Sequence, residues 1–93
     1  MQILVIEDTA SVASMIEALV EGRGHAVRTA ASGTQGVDFA LERAPDVVLL
    51  DWSLKGTVTG ADICKRLRAV ESTRDTPIVV FGEADEEAAD EAP

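Results

Sequence analysis

The sequence predicts an α/β fold, an open, doubly wound parallel sheet of about four strands with three helices on its faces. Three observations predict it. Short apolar, β-branched runs alternate with segments whose apolar residues recur every three or four positions. The intervals between the runs suit right-handed crossover helices. Acidic residues stand directly after the first and third runs, the strand ends outside which such sheets bind ligands.

Taken in order, "QILVIED" opens the chain as a strand buried on both faces and ends in two acids. Val12, Met15, Ile16, Leu19 and Val20 then recur at helical spacing, and the glycines of "EGRG" close that helix. "HAVRTA" is a second, less apolar strand. Val37, Ala40, Leu41 and Ala44 mark a second helix, with Ser32 or Thr34 as cap and Pro45 as its stop. "DVVLLD" is the clearest strand of the chain. Beyond the polar loop "KGTVTG", Ile63, Leu67 and Val70 form a third helical face, and Pro77 introduces a fourth strand, "IVVF".

Ninety-three residues make one domain, near the lower end of what buries a self-sufficient core. No apolar run approaches the roughly 18 residues that cross a bilayer, and no basic leader with a cleavage site is present. No membrane association is expected. A single Cys64 forms no internal disulfide, which fits a cytoplasmic location. The net charge is −9, and six of the 17 acids lie in the last eleven residues with no base among them. What remains is 11 acids against 8 bases, so neither body nor tail offers the basic patch that binds phosphate backbones, and nucleic acid is not an expected partner.

The chemistry concentrates in three carboxylates. If the first and third strands are neighbours, Glu7, Asp8 and Asp51 converge on one crevice. Unaided, such charges repel and raise one another's pKa. A hard divalent cation removes the conflict: Mg²⁺ takes one or two carboxylates, keeps several waters and leaves room for phosphate oxygens. It also lets a carboxylate act as nucleophile towards phosphorus, which points to an aspartyl phosphate. A plainer reading of Glu7 and Asp8 is helix capping. Asp51, directly after "VVLL", has no cap to provide at once. "EDTAS" lacks a glycine-rich phosphate cradle, which argues against dinucleotide binding and P-loop chemistry, and "DWS" lacks the second acid of D-x-D phosphatases, which argues against a hydrolytic enzyme. Trp52 and Cys64 read as packing residues and His25 as a surface residue.

"LVIED", "VVLLDW" and "TPIVVFGEA", in this order and spacing, resemble the receiver domain of two-component response regulators over residues 1–82, which implies a flavodoxin-like fold with its four strands in the order 2-1-3-4. The resemblance implies that Asp51 is the phosphoacceptor and that Asp8 binds Mg²⁺ directly. It makes Glu7 the holder of a metal-bound water, and it lends the metal the backbone carbonyl of Ser53. It implies a histidine kinase or phosphotransfer protein as phosphodonor, and a signalling domain rather than an enzyme.

Three departures from that family stand out. Receivers usually carry Thr or Ser at the end of the fourth strand, where this chain has Gly82, which keeps the N–H and offers no hydroxyl. They carry a Lys after a fifth strand; here the lysines are Lys55 and Lys65, and Lys55, on the loop after Asp51, is the candidate substitute. The loop "SLKGTVTG" is one residue longer than usual. Met1 lies so near the first strand that the chain is expected to start there. Without a fifth strand, "IVVF" is an apolar edge expected to pair with a second copy or a partner strand. Residues 83–93 form an acidic tail, as a short helix or disordered. Two functions fit: a shortened receiver that takes a phosphoryl group on Asp51 and acts through partners, or a pseudo-receiver that serves as an interaction module without phosphate.

Overall fold

The computed structural model describes residues 1–82. Its elements are β1 (Gln2–Ile6), α1 (Ala10–Glu21), β2 (Ala26–Ala30), α2 (Gly33–Glu42), β3 (Val47–Asp51), α3 (Gly60–Arg68) and β4 (Ile78–Phe81). All four strands are parallel and lie in the order β2-β1-β3-β4. The order follows from chemistry along the chain. β1 and β3 carry the richest β-branched and leucine runs and take the two central places, where both faces are covered. β2, which carries the polar Arg28 and Thr29 and alternates only in burial, lies at one edge of the described sheet, with β4 at the other. Acidic residues 83–93, expected as a short helix or disordered tail, lie outside the described residues.

One face of the sheet is closed by α2 and α3. Leu4, Ile6, Val48 and Leu50 pack there against Val37, Ala40, Ile63 and Leu67, and Trp52 joins the same cluster. Close packing needs a glycine at one point of this layer: a Cβ on Gly36 of α2 would come 2.7 Å from Ile6 Cγ1. α1 packs on the opposite face against β1 and β2, with Ala13 as its buried residue.

The helical faces read from the sequence are partly redrawn. Met15 and Leu19 are 57% and 65% exposed, so the buried side of α1 runs through Ala13 instead. Leu41 is exposed, and Ala44 and Val70 lie past the ends of their helices. Beyond α3 the chain turns back on the helix end, tied by side-chain bonds in both directions. Thr73 Oγ1 donates to Leu67 O at 2.6 Å, and Arg68 donates to the carbonyls of Arg74 and Thr76 at 2.8 and 2.7 Å. Ser32, rather than Thr34, caps α2, accepting from Gln35 N–H at 3.1 Å. Among the described residues no helix is long and apolar enough to cross a membrane.

Candidate functional site

Because β1 and β3 are neighbours, their carboxyl ends lie side by side, and Ile6 pairs in register with Leu50. The residues that follow are thereby brought together. Glu7, Asp8 and Asp51 each offer a carboxylate oxygen, and these oxygens all lie within 4.8 Å of one another. Glu7 and Asp51 are buried and Asp8 is half-buried.

Each carboxylate is held by a main-chain donor. Glu7 accepts from Thr9 N–H at 3.0 Å and Asp8 from Lys55 N–H at 3.1 Å. Asp51 Oδ1 accepts from Ser53 N–H at 2.9 Å and from the Ser53 hydroxyl at 2.7 Å. These bonds orient the acids but leave their mutual repulsion in place. Burial pushes the Glu7 carboxyl above its ordinary value. The Thr9 N–H opposes that, and the neighbouring Asp51 and Asp8 carboxylates push it further up. The capping reading of the acid pair finds a different residue: Thr9 occupies the N-cap of α1, and no acid lies in its first turn.

β4 ends beside this cluster. Phe81 pairs in register with Asp51, and its carbonyl accepts from Trp52 N–H at 2.8 Å. Gly82 follows with φ +95°, a left-handed conformation that favours glycine. A Cβ added there would overlap Asp51 Oδ1 and stand 3.3 Å from the Ser53 hydroxyl oxygen.

Lys55 meets the site through its backbone. Its side chain is exposed, forms no ion pair among the described residues, and lies by Ser32, Thr34 and Thr57 in a shallow cleft at the start of α2. Trp52 is buried in the core, its ring against Gly60 at the start of α3. Cys64 is buried too, and burial pushes its thiol up, away from reactivity. His25 is half-buried, its Nδ1 3.3 Å from the N-terminal amine. Sequence reasoning singled out the Ser53 carbonyl and missed its hydroxyl. The signal was present, since a serine two residues after an aspartate is placed to bond back to it.

The donor set is all oxygen, closely spaced and negatively charged, which suits a hard cation such as Mg²⁺. An open parallel α/β sheet with such a cluster at its carboxyl edge has its candidate cation site where such sheets bind ligands. The chain belongs to the response regulator receiver domain family, whose profile matches residues 3–92. It is 35% identical over 85 residues to the phosphate regulon transcriptional regulatory protein PhoB of Pseudomonas aeruginosa, a match covering 91% of this chain and 37% of that protein. With the DNA-binding response regulator MtrA of Mycolicibacterium paratuberculosis it shares 41% over 68 residues, 73% of this chain and 30% of the relative. The chain thus spans about a third of the length of these curated relatives. Among solved structures it is similar to the receiver domain of a Pseudomonas aeruginosa sensor histidine kinase, which has a magnesium ion coordinated in its active-site cleft. That likeness has a TM-score of 0.87 at 29% identity, over 96% of this chain and 73% of the other. Chemotaxis protein CheY4 of Vibrio cholerae gives a TM-score of 0.87 at 26% identity, over 97% and 75%.

Proposed function

We propose that this receiver domain accepts a phosphoryl group on Asp51 from a histidine kinase or phosphotransfer protein, in the presence of Mg²⁺, and signals through the partners that its phosphorylated form binds. The observation that carries the reading is the meeting of three carboxylates from two neighbouring strands within 4.8 Å. Glu7, Asp8, Asp51 and the Ser53 carbonyl would hold the metal, which when bound offsets negative charge between the acids and an incoming phosphoryl group. The remaining roles belong to the chain. Glu7 and Asp8 are kept in place by the N–H groups of Thr9 and Lys55. Asp51 supplies the attacking oxygen: its lone pair forms the O–P bond while the P–N bond of the donor phosphohistidine breaks, the electron pair staying on nitrogen. Gly82 contributes its backbone N–H at the β4 end. In this reading the domain serves as a phosphoacceptor in signalling rather than as an enzyme.

Two finer parts of the proposal have their own tests. Lys55, on a loop tied to Asp8 through its N–H, would serve as the charge partner of the phosphoryl group once its side chain turns there from the cleft at the start of α2; an unchanged phosphorylation rate in Lys55→Ala would remove it from that role. The outer edge of β4 pairs with a second copy, since among the described residues it has a strand neighbour on one side only. Sedimentation velocity is expected to give a dimer, and a strict monomer at high concentration contradicts it.

The main experiment is direct. Protein incubated with Mg²⁺ and acetyl phosphate is expected to gain the mass of one phosphoryl group, and Asp51→Asn to gain none. Equal gain in both would move the acceptor elsewhere.

A further inference from the structure

We propose that two copies of this chain join their β4 edges antiparallel about Val79, and that the acidic segment 83–93 of each lies on the basic pole at the start of β4 in the other. The inference rests on the reading of β4 as a pairing edge and adds its direction, its register and the charges that hold it.

The backbone of β4 sets the register. The carbonyls of Pro77 and Phe81 accept from the N–H groups of Val48 and Trp52 at 2.9 and 2.8 Å, so residues 77, 79 and 81 turn their main-chain groups towards β3. Ile78 and Val80 therefore turn theirs outward. Two identical edges close about a two-fold axis, and an axis that continues the sheet runs the strands antiparallel. Centred on Val79, it lets Ile78 exchange N–H and C=O bonds with Val80 of the second copy, and the reverse. The two Val79 side chains then meet on one face, at the kind of position where cross-strand pairs come closest. Val79 is 52% exposed in the single chain, and this contact covers it.

Charge selects the same direction. The last turn of α3 holds Lys65, Arg66 and Arg68, and Arg68 donates to the carbonyls of Arg74 and Thr76. Four of the chain's eight Lys and Arg residues thus stand just before β4, with Glu71 and Asp75 as the acids among them. Lys65, Arg66 and Arg74 are exposed and form no ion pair among the described residues. Past the other end of β4, residues 83–93 carry six acids and no base. The four residues of β4 keep these two ends roughly 13 Å apart within one copy. Antiparallel pairing sets each acidic segment beside the basic pole of the other copy. Parallel pairing would set the two acidic segments side by side. Exposed charges interact over about 8 Å at physiological salt, so contact between the poles counts for more than the net charge of −9 on each copy.

The test is sedimentation velocity of the full chain over a range of concentrations. Raising NaCl from about 0.15 to about 1 M is expected to weaken the wild-type dimer about tenfold, as screening shortens to about 3 Å. One variant reverses the pole, with Arg66→Glu and Arg74→Glu. A second reverses the segment, with Asp85→Lys, Glu86→Lys, Glu87→Lys and Asp90→Lys. Each alone is expected to dimerise about tenfold more weakly than wild type, and their equal mixture to associate about tenfold more tightly than either alone. Val79→Lys sets two ammonium groups face to face and is expected to abolish association, with the emission of buried Trp52 unchanged. A wild-type dimer indifferent to salt and to both charge sets overturns the pole contact and leaves the edge pairing. A mixture no tighter than its parts also overturns the pole contact. Wild type that stays monomeric at every concentration, or a dimer untouched by Val79→Lys, overturns the edge reading itself.

Discussion

Leu50 and Asp51 are successive residues of β3, and Ile6 and Glu7 succeed one another at the end of β1, yet each pair divides between two unlike environments. Leu50 and Ile6 are fully buried among Val37, Ala40, Ile63 and Leu67, with apolar atoms on every side. Glu7 and Asp51 are nearly as inaccessible, at 4% and 5% exposure, but face another carboxylate. Burial therefore favours folding one step below the sheet's edge and opposes it at the edge, where desolvation and like charge act together. The fold tolerates the cluster because the layer beneath holds the strand ends in register whatever their charge.

Mutations in that layer are expected to have the largest effects. Leu50→Ala removes a side chain with no exposed surface and is expected to lower stability by about 2–5 kcal/mol, measured by urea unfolding. A loss under 1 kcal/mol would mean that the β3 core relaxes into the cavity, and the contrast with the edge would weaken. Gly60→Ala probes the same layer by overfilling it. A Cβ there would come 2.6 Å from Trp52 Cε3, so the ring must shift. A cost of about 1–3 kcal/mol is expected, the usual range for overpacking, with a change in the emission of the chain's one tryptophan.

How much of this was legible in the residues divides along the same line. Alternation of apolar runs and helical spacings gave the element order, and the order brought Glu7, Asp8 and Asp51 to one crevice. Those features depend on pattern, which sequence carries directly. Met15 and Leu19 were misread because helical spacing alone does not say how much of a helix the sheet covers. Ala13, too small to stand out as apolar, takes the buried place. The Arg68 and Thr73 bonds at the end of α3 join residues whose meeting depends on the turn between them. At the site, the carboxylates were legible by type and position. The bond from the Ser53 hydroxyl to Asp51 was legible only as a spacing, because forming it also depends on a rotamer.

The edge itself is expected to respond in the opposite sense from the core. The folded protein raises the Glu7 carboxyl above its ordinary value of 4.5, chiefly through burial. It therefore holds that proton more tightly than the unfolded chain does. By linkage, the stability Glu7 contributes is present in full below about pH 4.5 and is lost as pH rises through the elevated folded value. At neutral pH, without metal, the raised Glu7 carboxyl opposes folding. Glu7→Gln is thus expected to raise the melting temperature of metal-free protein at pH 7, and the gain should vanish in acid. A variant less stable than wild type at pH 7 would show that the bond from Thr9 N–H outweighs the repulsion.

The smallest effects are expected on α1, whose outward side lies far from both the core layer and the acids. Met15 and Leu19 are large and apolar but mostly exposed, so replacing them removes little buried surface. Glutamine, like methionine and leucine, is unbranched at Cβ and has similar helix propensity. Met15→Gln and Leu19→Gln are each expected to change stability by no more than about 0.5 kcal/mol in thermal or urea unfolding. A fall of more than about 1 kcal/mol in either would place these side chains against some surface beyond the described residues, since nothing in α1 or the sheet below it supplies that much contact.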